Sequence, residues 1–486
     1  MANVGRNDAG AATSSAATLE LLSRRTHPAP VHPTRVIQFG EGNFLRGFVE
    51  WQLQRMNDQG LFRGGVAIVQ PRPGGRVKRL EAQDRLYTVV LEGISGGRPV
   101  QEHEVITVVN RTVDPYREWA AFLALADNPD TGLIVSNTTE AGISVPDGDT
   151  DPNVPPAGFP AKLALLLHRR FRSGLPGVVV IPCELIEDNG PRLRAAVLES
   201  ARRFGLERSF LGWVTEQNTF CSSLVDRIVT GYPGDRATAL WGEFGYRDHE
   251  IVVAEPYHLW VIEGPDDIAG LLPLRRAGLN AVLTDNLRPY RERKVALLNG
   301  PHTTLAALGA PAGLHTVGEA MAHPVVRGFI EDQMREEIIP VLSGSATELC
   351  DYAHQILQRF DNPFLSHPLE AIALNAVAKF RTRLLPIVHA NVRHGRPLPR
   401  RTVLALAALL VRYADPAAPR PADGHDVLGR FTAAAATDDP VGRVLADPGL
   451  WGEDLTAVPG LVTAVREDID TIRDRGALAA LSLIPR

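Results

Sequence analysis

The pattern of apolar residues changes character part-way along the 486-residue chain, and that change constrains the fold more than any single motif. In the first half, short apolar runs, mostly β-branched, alternate with helical spacing. Val36–Phe39, Val66–Val69, Leu86–Leu91, Val105–Val109, Leu133–Val135 and Val178–Ile181 read as strands, each bounded by Gly, Pro or polar residues. Phe44–Asn57, Tyr116–Ala126, Ala161–Phe171 and Pro191–Phe204 carry helical patterns between them. Apolar strands interleaved with helices imply a parallel sheet covered on both faces. From about Asp285 onward the spacing is mostly helical, clearest over Thr316–Leu342, Thr347–Arg359, Leu369–Val392, Arg401–Tyr413 and Leu461–Leu481. The expectation is an α/β domain over residues 31–280 followed by a mainly α-helical domain over 281–486. Residues 1–30 read as a mostly disordered tail, with a short helix near Thr18–Arg25.

Val36-Ile-Gln-Phe-Gly40-Glu41-Gly42-Asn43-Phe44-Leu45-Arg46 is the strongest local signal. A strand runs into Gly-x-Gly and then into a helix. Gly40 permits the tight turn, and Gly42 lets the backbone approach a pyrophosphate seated on the free N–H groups of the helix start. This is the phosphate-binding turn of a Rossmann-type domain, although Leu45 stands where the fingerprint has its third glycine. The competing reading is an ordinary strand–turn–helix. The second strand ends at Gln70, where an NAD-binding fold usually has Asp or Glu. Gln70 can hydrogen-bond a ribose hydroxyl, while Arg72, Arg76, Lys78 and Arg79 close behind could accept a 2′-phosphate. NAD is the expected cofactor, with NADP left open.

The catalytic candidate is Lys294-Val-Ala-Leu-Leu-Asn299-Gly-Pro-His302. Asn299 and His302 are three apart and are neighbours on a helix. Lys294 lies five residues before Asn299, a gap its long stem can close, and Pro301 loosens the turn. A desolvated Lys294 beside Arg291 and Arg293 would have its pKa lowered, which suits proton transfer near neutral pH. An amide and an imidazole can donate to a developing alkoxide. On spacing alone, three such residues on a helix are more often a surface or capping set.

Longer segments add a resemblance. Lys294, Asn299 and His302 match the K-x4-N-x2-H motif of the polyol-specific long-chain dehydrogenases, the mannitol dehydrogenase family. Gln38–Arg46, Ser136–Ile143, Ile181–Ile186, Phe220–Pro233, Arg291–Ala296 and Lys379–Arg383 are also similar, so the likeness spans about residues 35 to 465. It implies a Rossmann-type domain, a helical domain and an active site between them, working without a metal. It makes Lys294 the general acid–base and Asn299 with His302 the oxyanion pocket. It places Gly40, Glu41, Gly42, Asn43, Phe44, Gln70 and Asn137 at the cofactor, and Asp226, Lys379 and Arg383 at the substrate. Arg291 and Leu185 stand where mannitol dehydrogenases have Glu and Asn, which points to the branch acting on sugar acids. The expected reaction is reversible reduction of a keto-uronate. A second keto-uronate, a neutral ketose–polyol pair, and a non-catalytic dinucleotide sensor are the alternatives.

A carboxylate substrate needs a cation. Lys379 and Arg383 are four apart and share a helical face, while Arg381 points elsewhere; a solvated charged face is the plainer reading. The formal net charge of -5 argues against nucleic acid. No run approaches a membrane span, and no apolar leader precedes the first domain. The three scattered cysteines, Cys183, Cys221 and Cys350, suit reduced thiols in the cytoplasm. Gly93-Ile-Ser95-Gly-Gly97 fits a serine-hydrolase elbow in letters but precedes a strand, so it reads as a hairpin turn. His389 and His394 are five apart and face differently, and no metal site is expected.

Overall fold

Side chains on successive residues of a strand point to opposite faces, and both faces of the central sheet are apolar. The protein is described here from a computed structural model covering residues 19–138, 140–309, 311–415 and 421–484. Residues 1–18 of the expected tail therefore lie outside the described residues. The chain divides into two compact units, residues 1–92 with 100–287 and residues 93–99 with 288–486.

The strands run in order as β1 (Thr34–Phe39), β2 (Gly65–Val69), β3 (Tyr87–Ser95), β4 (Arg98–Ile106), β5 (Val109–Val113), β6 (Leu133–Ser136) and β7 (Val179–Pro182). There follow β8 (Thr219–Phe220), β9 (Ser222–Asp226), β10 (Val229–Gly231), β11 (Val252–Ala254), β12 (Leu259–Glu263) and β13 (Ala281–Thr284). The main sheet has the order β5-β2-β1-β6-β7-β8, with every neighbouring pair parallel. Counted within that sheet the order is 3-2-1-4-5-6, the doubly wound arrangement whose ligand crevice lies where the order reverses. Here that point falls between β1 and β6. Val36, Val66, Ile68, Leu133, Val135 and Ile181 enter one core with Phe48, Trp51 and Leu53. The residues between them, Ile37, Ala67, Val69, Ile134 and Val180, enter the opposite core with Phe159, Leu163, Leu193 and Val197.

In the first unit, three expectations are corrected. Leu86–Leu91 forms β3 outside the parallel sheet, in a second sheet of order β10-β11-β3-β4. Val105–Val109 is not one strand. It breaks between β4 and β5 at Thr107, whose N–H donates to Gln54 Oε1 at 2.8 Å and whose carbonyl accepts from Arg24. The segment from Glu20 is extended and anchored, not helical: Leu22 N donates to Arg247 O and Arg247 N to Glu20 O, with Leu22 wholly buried. The turn joining β3 and β4 is Gly96–Gly97, with φ of 58° and 75°, in the left-handed region that glycine adopts without strain.

The second unit is helical. The run expected over Thr316–Leu342 breaks at Pro324 into helices Val317–Ala322 and Pro324–Asp332, then continues as a π-turn, Gln333–Ile338. Leu369–Val392 divides at Asn375, in the left-handed region, and again before Pro386. The helix Arg400–Ala414 is apolar nearly all round, with Val403 to Leu410 buried without a gap, as a central helix must be. Its N-terminus has no cap from its own sequence. Glu337 supplies one from the π-turn, accepting from Arg401 N at 2.7 Å, Thr402 N at 2.9 Å and Thr402 Oγ1 at 2.8 Å. Burial pushes the Glu337 carboxyl up while these donors pull it down. Glu337→Ala leaves two buried amides unpaired and should cost about 3 kcal/mol, measured as a lower urea midpoint at unchanged slope.

Candidate active site

At the end of β1 the chain turns through Gly40, which adopts φ 123°. A Cβ there would lie 3.0 Å from the Asn137 carbonyl oxygen and 3.2 Å from Leu45 Cδ1, so only glycine lets β1 pass so close to the end of β6. Gly42 is the N-cap of the helix that starts at Asn43, with no side-chain cap, and a Cβ on it would meet nothing within 4 Å. The helix start thus opens onto free space with its first N–H groups uncapped, which fits a bound phosphate. Leu45 is buried in the core, and the close helix–sheet approach usually left to a third glycine is made at Gly47. A Cβ at Gly47 would crowd Val252 at 3.0 Å and Val229 at 3.2 Å.

The other expected cofactor residues surround this turn. Asn43 Oδ1 accepts from Arg46 at 2.7 Å, and Phe44 stacks on Phe48 at 5.1 Å. Gln70, at the end of β2, is buried and donates to the Arg72 carbonyl at 2.9 Å. Glu41 reaches the same loop, accepting from Arg76 N at 3.3 Å. Asn137 follows β6; its backbone N–H donates to Phe39 O and its side-chain amide donates to Cys183 O at 2.7 Å. Asp226, the last residue of β9, is buried.

Two supports were not singled out from sequence. Glu184, after β7, accepts from Thr138 N, Thr138 Oγ1 and Ser136 Oγ at 2.9–3.0 Å, fixing the loop that carries Asn137. Burial raises its pKa against those hydrogen bonds. Beneath the glycine turn, Glu50 takes bonds from Gln38 Nε2 and Tyr87 OH, each at 2.6 Å. A carboxylate directly after a buried strand, or inside an otherwise apolar helix, is the sequence signal that could have marked both.

In the second unit, the helix Arg288–Lys294 passes into a π-turn, Val295–Asn299, and on into the helix Gly300–Gly309. The five-residue spacing from Lys294 to Asn299 follows from this. In an α-helix, five residues overshoot a turn by about 140°; with i→i+5 bonding they complete about one turn. Gly300 N bonds to Val295 O in that i→i+5 manner. Lys294 and Asn299 therefore share a face, and His302, three further on, joins them. Pro301 does not end the helix; it stands just after the turn has already loosened.

His302 is buried, and its Nε2 has no hydrogen-bond partner. Its ring packs on Phe360 at 4.3 Å and edge-on to His367 at 5.0 Å. Burial, then His367, Arg359 and Arg383, push its pKa well below the ordinary imidazole value, so the ring is neutral near pH 7. Arg383 donates to Thr303 Oγ1 at 3.2 Å, one residue from His302. Lys379 instead donates to the Ile372 carbonyl at 2.8 Å, although it lies near enough to Arg383 to feel its charge. Arg381 is exposed and lies beside Gly452. A lysine, an amide and a neutral imidazole on one face, with guanidinium groups close by, are groups that can polarise a carbonyl and move a proton to the alkoxide it becomes.

Residues 34–275 match the mannitol dehydrogenase Rossmann domain and residues 286–473 the mannitol dehydrogenase C-terminal domain. The chain belongs to the mannitol dehydrogenase family. It is therefore an oxidoreductase, and its fold is that of the family's Rossmann and helical domains. This dehydrogenase is 42% identical over 481 residues to an altronate oxidoreductase of Yersinia enterocolitica, covering 96% of this chain and 99% of the relative. Among solved structures it resembles a D-sorbitol dehydrogenase in substrate-free form (TM-score 0.81, 22% identity, 95% of this chain and 100% of that one). It also resembles a Pseudomonas fluorescens mannitol 2-dehydrogenase solved with NAD and D-mannitol (TM-score 0.72, 23% identity, 95% and 98% coverage). No described helix of this dehydrogenase is long and apolar enough to cross a membrane.

Deleting Leu297 removes the extra residue of the π-turn and restores α-helical register. Lys294 and Asn299 would then stand four apart, about 40° past one α-helical turn, so they should still share a face with His302. Turnover should therefore stay within about tenfold of the wild type, with the helical circular-dichroism signal retained; a complete loss would show that the π-turn does more than align the face.

Proposed function

We propose that this dehydrogenase reduces D-tagaturonate to D-altronate with NADH, reversibly, in galacturonate breakdown. The observation that carries the reading is the catalytic face itself: Lys294, Asn299 and His302 in register across the π-turn, with Arg383 beside His302. Near-full-length likeness to an altronate oxidoreductase supports the same substrate pair. The uncapped helix start at Gly42 and Asn43 suits the pyrophosphate of NAD, and the likeness to a dehydrogenase solved with NAD agrees. Unpaired thiols at Cys183, Cys221 and Cys350 suit the cytoplasm. The partner is a small sugar acid, with neither nucleic acid nor membrane required.

When bound, the nicotinamide supplies the hydride. The chain's own residues do the rest. Asn299 and the neutral His302 donate to the ketone oxygen, which favours charge building there. Lys294 delivers its proton to that oxygen in reduction and recovers one from the alcohol in oxidation. Arg383 attracts the substrate carboxylate, and a guanidinium can hold it by two parallel bonds. Asp226 and Lys379 complete the substrate set.

Comparison of kcat/KM for tagaturonate, fructuronate and fructose at equal NADH checks the substrate. Tagaturonate should rank first and fructose last, and a lead for fructose would remove the carboxylate reading. Lys294→Ala should lower kcat by about two to four powers of ten, with NADH affinity by fluorescence nearly unchanged. Lys294→Arg should not restore the rate, since guanidinium holds its proton. Wild-type turnover in Lys294→Ala would overturn the mechanism.

A further inference from the structure

The end of β2 is where a doubly wound domain meets the adenosine ribose, and an acidic side chain there favours a free 2′-hydroxyl over a 2′-phosphate. In this chain that position is Gln70, which is neutral, and Arg72, Arg76, Lys78 and Arg79 follow it. Sequence order alone leaves the two cofactors undivided. The folded chain brings a carboxylate to the spot from elsewhere. Glu41, the middle residue of the glycine turn after β1, extends to the loop after β2, where its Oε1 accepts from Arg76 N at 3.3 Å. Gly75 marks how closely the two side chains converge. A Cβ built there would stand 2.4 Å from Glu41 Oε1 and 2.5 Å from Gln70 Cδ.

The basic residues are placed differently. Arg79 is held by Glu250 at 2.6 Å and by the His249 carbonyl at 3.0 Å. Arg72, Arg76 and Lys78 are exposed, whereas Glu41 is half-buried and Gln70 is buried. The charged side chain that converges with Gln70 on Gly75 is the carboxylate of Glu41.

We infer that Glu41 is the residue that selects NAD(H) over NADP(H), supplying from the first loop the carboxylate that β2 itself lacks. The inference rests on reading this turn as a nicotinamide dinucleotide site. Glu41 accepts hydrogen bonds from ribose hydroxyls and repels a 2′-phosphate dianion, while Gln70 adds a neutral amide.

Titration of the full-length protein with NADH and with NADPH, followed by cofactor fluorescence, gives both dissociation constants without any substrate. Glu41→Gln keeps an acceptor for Arg76 N and removes only the charge; Glu41→Ser removes the reach as well. The wild type should bind NADH at least about tenfold more tightly than NADPH. Both variants should narrow that ratio by about tenfold or more, chiefly by tighter NADPH binding. An unchanged ratio in variants that still bind NADH overturns the role of Glu41 and leaves the site reading intact. Wild-type preference for NADPH does the same. A wild type that binds neither cofactor overturns the site reading and the inference together.

Discussion

Among the described residues, three helices each carry one residue more than an α-helix holds, and the disturbed backbone is met by side chains. The turns are Arg46–Glu50, Val295–Asn299 and Gln333–Ile338. In the first, the Arg46 carbonyl accepts from Tyr87 OH at 3.1 Å and the Gly47 carbonyl from Arg227 at 2.8 Å. In the second, the Asn299 carbonyl accepts from Thr303 Oγ1 at 2.9 Å. In the third, Glu336 and Glu337 carbonyls accept from Arg396 and Asn391 at 3.0 and 2.9 Å. A π-turn is an interruption of i→i+4 bonding and persists only where its backbone groups find partners. Each is therefore tied to buried polar residues, and each sets the angle at which a face of its helix is presented.

The cost of those buried polar residues is substantial, and their placement shows what it offsets. Glu50 lies in a wholly buried site where burial raises its pKa, opposed by Tyr87, Gln38 and Arg46. Gln38 also donates to the Gly40 carbonyl at 2.8 Å, so the network holds the glycine turn from beneath. Glu184 does the same for the loop after β6. Buried carboxylates are poor sources of net stability but leave little freedom to the groups that satisfy them. Backbone that must leave its N–H groups uncapped has no bonds of its own to fix it, and these side chains supply the missing constraint.

Much of the first unit was legible because its signals are local. Strands β1, β2, β6 and β7 are built on short apolar runs, and Gly40–Gly42 follows one of them directly. The rest was not, for reasons of tertiary origin. Leu86–Leu91 has the same β-branched composition as the parallel strands, and only its partners, β11 and β4, place it in another sheet. Thr107 looks like a strand residue until Gln54 and Arg24 claim its backbone. Short strands such as β10 and β11 are set by pairing, with too few residues for a periodic signal. In the helix that carries Lys294, Asn299 and His302, the three residues could be picked out as candidates from sequence, but their common face could not. Five-residue spacing argues against a shared face until the π-turn is known. Arg359 and His367 were invisible as neighbours of His302 because they lie more than fifty residues away in sequence.

The charges around His302 act in two ways that reinforce each other. Burial alone favours the neutral ring, and His367, Arg359 and Arg383 add to that preference. A neutral imidazole can donate to an oxygen without carrying a charge that must later be given up. Under the proposed reading, the arriving substrate carboxylate offsets part of the Arg383 charge and so weakens one of the influences that keep the ring neutral. Burial remains the largest of them, so the imidazole stays uncharged while the carboxylate is bound. The proton that moves is then the one on Lys294, and the anchoring of the acid group is separated from the acid–base step. That separation lets one helix face serve a ketone whose other end carries a full negative charge.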